Sequence, residues 1–253
     1  MSGIDETCMP LIEHLIELRR RLLWIFAALA LAFFGCLYVA KDIFAVLVQP
    51  LLKAGQGKII YTDIFEAFFV EIKVAFFAAT MVAFPVIATQ IWRFVAPGMY
   101  VNEKRAFLPF LIMTPILFAA GASMAYFVAM PVALEFLLSY SGNVGGVTQE
   151  ALPGVGNYLN FVTKFVFGFG VGFLLPVLLM LLERAGLVTR TQLRDGRRYA
   201  IVGAFVVAAV LTPPDIVSQL LLAVPLCVLY ELAIIAIWFT ERRRAKENLA
   251  AAD

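Results

Sequence analysis

The sequence predicts an all-α, polytopic membrane protein, and three observations predict it. Hydrophobic residues make up 62% of the 253-residue chain and charged residues 15%, far from the balance of a soluble domain. The apolar residues gather into six stretches, at 22–40, 74–96, 107–134, 158–182, 199–211 and 216–239. A helix needs about 20 such residues to cross about 30 Å of hydrocarbon. The positive charges are also sorted. All thirteen arginines, with Lys104 and Lys246, lie in the N-terminal, 93–107, 184–198 and C-terminal segments. Only Lys41, Lys53, Lys58, Lys73 and Lys164 lie in or beside the other three connections. Positive flanks stay in the cytoplasm, so this bias orients six transmembrane helices at once, with both termini cytoplasmic. The chain reads as a single membrane domain: a cytoplasmic amphipathic helix over 1–21, a six-span bundle over 22–239 and a cytoplasmic tail over 240–253.

The first segment earns its helix from Leu11, Leu15, Leu18 and Leu22 at helical spacing, with Glu13 and Glu17 on another face. Pro10 suits a first turn, and the segment is expected to lie along the interface. Glu17 and Arg21, four apart, can pair. The polar start argues for an uncleaved first span. Pro85 predicts a kink in the second span, and Gln90, Trp92 and Arg93 suit a headgroup boundary at its end. Glu103 sits beside Lys104 and Arg105 in a short cytoplasmic connection. The 41–73 connection, rich in aromatic and charged residues, predicts short helices over the membrane face. Gly142, Gly145, Gly146, Pro153, Gly154 and Gly156 predict turns in the 135–157 connection.

The last two spans are expected to be a short pair. The fifth has thirteen residues, about 20 Å of helix, and Thr212-Pro213-Pro214-Asp215 enforces a tight turn after it. Glu231 interrupts the sixth. Lys164 and Glu135 are expected near the outer surface, as a snorkelling lysine and an interfacial carboxylate. Cys8, Cys36 and Cys227 show no paired spacing and read as free thiols, with no metal site. The one histidine, His14, lies outside the spans and no His-Glu-x-x-His is present, so neither zinc nor serine–histidine catalysis is expected. A secondary transporter of small solutes is the alternative reading, but it predicts matched broken helices in the two halves, and no such pair is found.

Three motifs resemble those of the TatC family, the multispanning receptor of the twin-arginine protein translocase. They are Pro10-Leu11-(x)2-His14-Leu15-(x)-Glu17-Leu18-Arg19-(x)-Arg21-Leu22, then Phe94-(x)2-Pro97-(x)2-Tyr100-(x)2-Glu103-(x)-Arg105, and Val202-Gly203-Ala204-Phe205 followed by Leu211-Thr212-Pro213-Pro214-Asp215-(x)3-Gln219. The resemblance implies a non-enzymatic receptor in a bacterial inner membrane, present in several copies. It would bind twin-arginine signal peptides of folded cargo and recruit TatA-like and TatB-like single-span proteins, driven by the proton gradient, with no cofactor and no nucleic acid. It assigns Glu17 and Glu103 to the arginine-pair site, with Arg19, Leu22 and Phe94 beside them. Pro50, Phe68, Tyr126, Asp215 and Gln219 match positions for translocation or partner contact. Two positions depart from the family: Leu174 stands before Pro176 where many members carry a polar residue, and Lys164 is charged where relatives tend to be apolar.

Overall fold

The structure, a computed structural model, describes residues 11–95, 104–144, 147–149, 151–212 and 214–250. Helix α1 (Leu11–Tyr38) runs unbroken through the amphipathic stretch and the first apolar stretch. No proline or glycine lies within residues 11–34 to interrupt its ladder. Then come α2 (Ala40–Lys53), α3 (Glu66–Val95), α4 (Lys104–Met124), a π-helical turn (Ala125–Ala129) and α5 (Met130–Leu138). A hairpin of two three-residue strands, β1 (Gly142–Val144) and β2 (Val147–Gln149), stands where the glycines predict turns. It is a small addition to an otherwise helical chain. The remaining elements are α6 (Val155–Gly172), α7 (Leu175–Arg184), α8 (Arg190–Asp195), α9 (Arg197–Leu211) and α10 (Ile216–Ala250). The fourth apolar stretch is therefore two helices. Pro176 enters the first turn of α7, and Leu174 is the cap residue at the break.

Five helical stretches among the described residues are long and apolar enough to cross a membrane: Leu15–Tyr38, Glu66–Phe94, Phe110–Leu138, Val155–Arg184 and Ile216–Arg242. The remaining expected span is α9, whose 15 residues reach about 22 Å. The expectation that the sixth span is also short is corrected. Helix α10 has 35 residues, of which 27 form the apolar stretch. Glu231 does not break it, because Arg197 on α9 meets both carboxylate oxygens, Nε to Oε1 and Nη2 to Oε2, each at 2.8 Å. That two-pronged geometry satisfies the charge where it stands.

The described residues fall into two compact units, one drawn from 1–44 and 71–115, the other from 45–70 and 116–253. In the first, Cys36 and Ala40 pack against Ala75 and Ala79, flanked by Leu29, Ala32, Phe33, Ile43 and Ala78. Small residues let the helix backbones approach closely, as membrane helices require. Trp92 donates from Nε1 to Thr114 Oγ1 at 2.8 Å, and Thr114 donates to the Phe110 carbonyl at 2.7 Å. Trp92 thus fastens α3 to α4.

In the second unit α4 and α6 meet at glycines. A Cβ on Gly121 would lie 2.6 Å from the Phe169 carbonyl oxygen, and one on Gly170 would lie 2.7 Å from the Phe118 ring. The connection between α2 and α3 is laced to the start of α6. Ile60 donates to the Pro153 carbonyl at 3.2 Å, Val155 returns a bond to the Ile60 carbonyl at 2.9 Å, and Gln56 donates to the Ala151 carbonyl. Glu66 closes the lacing: Oε2 accepts from the Thr62 amide and hydroxyl, while Oε1 accepts from the Gly156 amide at 2.6 Å.

Candidate functional site

Glu17 and Arg21 lie one turn apart on α1, so their side chains share a face. Arg21 Nη2 donates to Glu17 Oε1 at 2.8 Å, and the two side chains are only 25% and 20% exposed. The second guanidinium nitrogen, Nη1, reaches across to α3 and donates to Gln90 Oε1 at 3.2 Å. Arg21 Nε is buried without an acceptor. A chain Glu17–Arg21–Gln90 therefore joins the two helices and fixes the carboxylate. Glu17 Oε2 makes no hydrogen bond among the described residues.

Phe94 lies one turn beyond Gln90 on α3 and is half-buried, so it flanks the same contact. Leu22 follows Arg21 and is 47% exposed, an apolar surface next in sequence to the guanidinium that holds the carboxylate. Arg19, two residues from Glu17, is exposed and lies on nearly the opposite side of the helix. The structure does not bring it to the Glu17 carboxylate. Glu103 lies outside the described residues. Gln90 is the member of this cluster that the sequence did not assign, since a partner 69 positions away leaves no periodic trace.

The second set of expected residues forms several sites rather than one. Pro50 is buried within α2. It has no N–H to return to the Val46 carbonyl one turn earlier. That carbonyl instead accepts from the Tyr126 hydroxyl at 2.6 Å, and Tyr126 is held in the π-helical turn. One turn-position along, the Leu47 carbonyl accepts from the Tyr158 hydroxyl at 2.7 Å. Two tyrosines from separate helices thus satisfy backbone around a proline, and Pro50 and Tyr126 belong to one arrangement. Phe68 is 63% exposed at the start of α3 and packs edge-on against Phe69. At the turn between α9 and α10, Asp215 caps α10 by accepting from the Ser218 amide at 2.7 Å. Gln219 donates from Nε2 to the Phe205 carbonyl at 3.2 Å, pinning α10 to α9. Lys164 is exposed near Asn160 and Thr212 at a cleft lined also by Val210 and Leu211. No group of three or more metal-ligating side chains comes together among the described residues.

Comparison with known proteins gives one consistent result. The family model described as TatC, Sec-independent protein translocase protein, matches residues 13–225. A Sec-independent protein translocase protein TatC from Magnetococcus marinus (strain ATCC BAA-1437 / JCM 17883 / MC-1) is 45% identical over 95% of this chain and 88% of its own length. The protein of the same description from Escherichia coli (strain K12) is 40% identical over 90% of this chain and 88% of its own. A solved crystal structure of the twin arginine translocase receptor TatC in DDM superposes with a TM-score of 0.78 at 40% identity, covering 88% of this chain and 98% of that one.

Proposed function

The chain belongs to the TatC family of Sec-independent protein translocase proteins, and from that membership we propose that it is a receptor for twin-arginine signal peptides. The family is a translocase component and not a family of enzymes. In this reading Glu17 and Glu103 each take one arginine of the incoming pair at the cytoplasmic face. TatA-like and TatB-like single-span proteins then dock on the loaded complex. The chain crosses the membrane six times, α9 included, with both termini in the cytoplasm.

The observation that carries the reading is the fixed carboxylate of Glu17. Its side chain is held at 20% exposure by Arg21, which Gln90 holds in turn. The ordering cost that a free surface glutamate would incur on binding is therefore largely met in advance. A guanidinium arriving at Oε2 gains a charge-assisted bond in a partly desolvated place. Lysine offers no matching planar fork. Leu22, next to Arg21 on α1, and Phe94, one turn from Gln90 on α3, take the apolar residues that follow the arginine pair, while Arg19 acts from the far side of α1.

Replacing Glu17 and Glu103 together by alanine tests this. Each lost contact to a charged group is worth about 1.5–3 kcal/mol, about tenfold or more in affinity for a twin-arginine peptide, and the two losses compound. The protein remains folded and inserted. Titration of a labelled peptide against the purified chain reads the effect, and undiminished binding to the double variant overturns the proposal.

A further inference from the structure

We propose that an arginine-lined notch between α8 and α10 binds the phosphate of an anionic phospholipid headgroup. The notch is a cavity of about 180 Å³ lined by Thr189, Arg190, Thr191, Arg194 and Glu241. Two guanidinium groups face one carboxylate there, so the lining carries net positive charge. Arg190 is under-used. Its Nη1 lies 3.5 Å from Glu241 Oε2, longer than a good charge-assisted bond of about 2.7–2.9 Å. Its Nε is buried without an acceptor. An oxyanion in the notch would give Nη1 a closer acceptor than Glu241 does.

The depth of the notch selects a lipid. Arg190 and Arg242 lie over the Trp238 ring, at 5.9 Å and 4.1 Å from its centre. The apolar stretch of α10 ends at Arg242. Tryptophan and arginine together at the end of a span mark the headgroup layer, and basic pockets between helices at that level hold acidic headgroups. Phe239 and Leu187, each two residues in sequence from a lining residue, are 58% and 71% exposed and offer apolar surface to acyl chains. None of these residues belongs to the Glu17 cluster, so the two proposals stand or fall separately.

The test uses the full chain in phosphatidylcholine nanodiscs doped with phosphatidylglycerol, with retained lipid counted by native mass spectrometry. Arg190→Gln with Arg194→Gln reduces retention of one phosphatidylglycerol about tenfold. Arg93→Gln with Arg198→Gln removes equal charge from other span ends and leaves it bound. Equal loss in both pairs, or no loss in the first, overturns the site. Displacement of the lipid by millimolar inorganic phosphate, with phosphate bound in its place, overturns the lipid assignment in favour of a free anion. If the first pair fails to fold, a photoactivatable phosphatidylglycerol on the unaltered chain decides. Adducts concentrated on 187–194 and 238–242 support the notch, and adducts spread evenly over all arginine-rich segments overturn it.

Discussion

Arg21 divides its guanidinium between Glu17 on its own helix and Gln90 on α3, and this makes Gln90 a positioning residue. Gln90→Leu removes the outer prop. It is expected to weaken twin-arginine peptide binding by about 1 kcal/mol, severalfold in affinity, with membrane insertion unaltered; peptide titration beside a protease-accessibility check reads both. The sequence showed the Glu17–Arg21 half of this cluster because helical spacing announces it. Gln90 stayed hidden because it is a contact between helices, and its amide looked like any interfacial polar group. Gly121 makes a different prediction. The atom nearest its missing Cβ is a backbone oxygen, that of Phe169, which cannot rotate aside. Gly121→Ala is therefore expected to cost about 1–3 kcal/mol, read as a lowered melting temperature in detergent.

Pro50 in α2 and Tyr126 in the π-helical turn form an exchangeable hydrogen-bond arrangement between elements. Tyr126→Phe strands the Val46 carbonyl and is expected to cost about 1–3 kcal/mol. In a Pro50→Ala background residue 50 regains an N–H that can return to that carbonyl, so the same change costs less. Thermal unfolding of the four chains gives the coupling, expected at about 1 kcal/mol; strict additivity would remove the link. In the sequence these were separate positions, because a proline shows which donor is missing but not which side chain replaces it. Glu231 misled for the same reason. A charge in an apolar run looks like an interruption until Arg197, 34 positions away, is seen to satisfy it. By contrast, the connection over 41–73 was legible: its apolar and charged mixture is the helix α2 and the approach to α3.

Across the whole molecule the sorting of arginine and lysine carries the proposed topology. Reporters fused after residue 253 and inserted at 56–58 should read opposite sides of the membrane, with the C-terminal one cytoplasmic. An external C-terminal reading would reverse the orientation. The number of apolar stretches was readable because transmembrane helices write their length directly into composition. The fifth escaped the length criterion since α9 has 15 residues. The break of the fourth stretch into α6 and α7 was foreshadowed only by Pro176. The division into two compact units had no sequence trace, because helices α2, α3 and α4 pass through its boundaries without changing composition.

On the proposed reading, the internal arginine at position 21 makes docking a sharing of one carboxylate. A visiting guanidinium at Oε2 meets a charge already partly answered by Arg21 at Oε1, so the net gain is smaller than an unpaired carboxylate would give. Selectivity for the visitor survives, while residence time stays short. That suits a first stop on a route along which every passenger has to be handed onward.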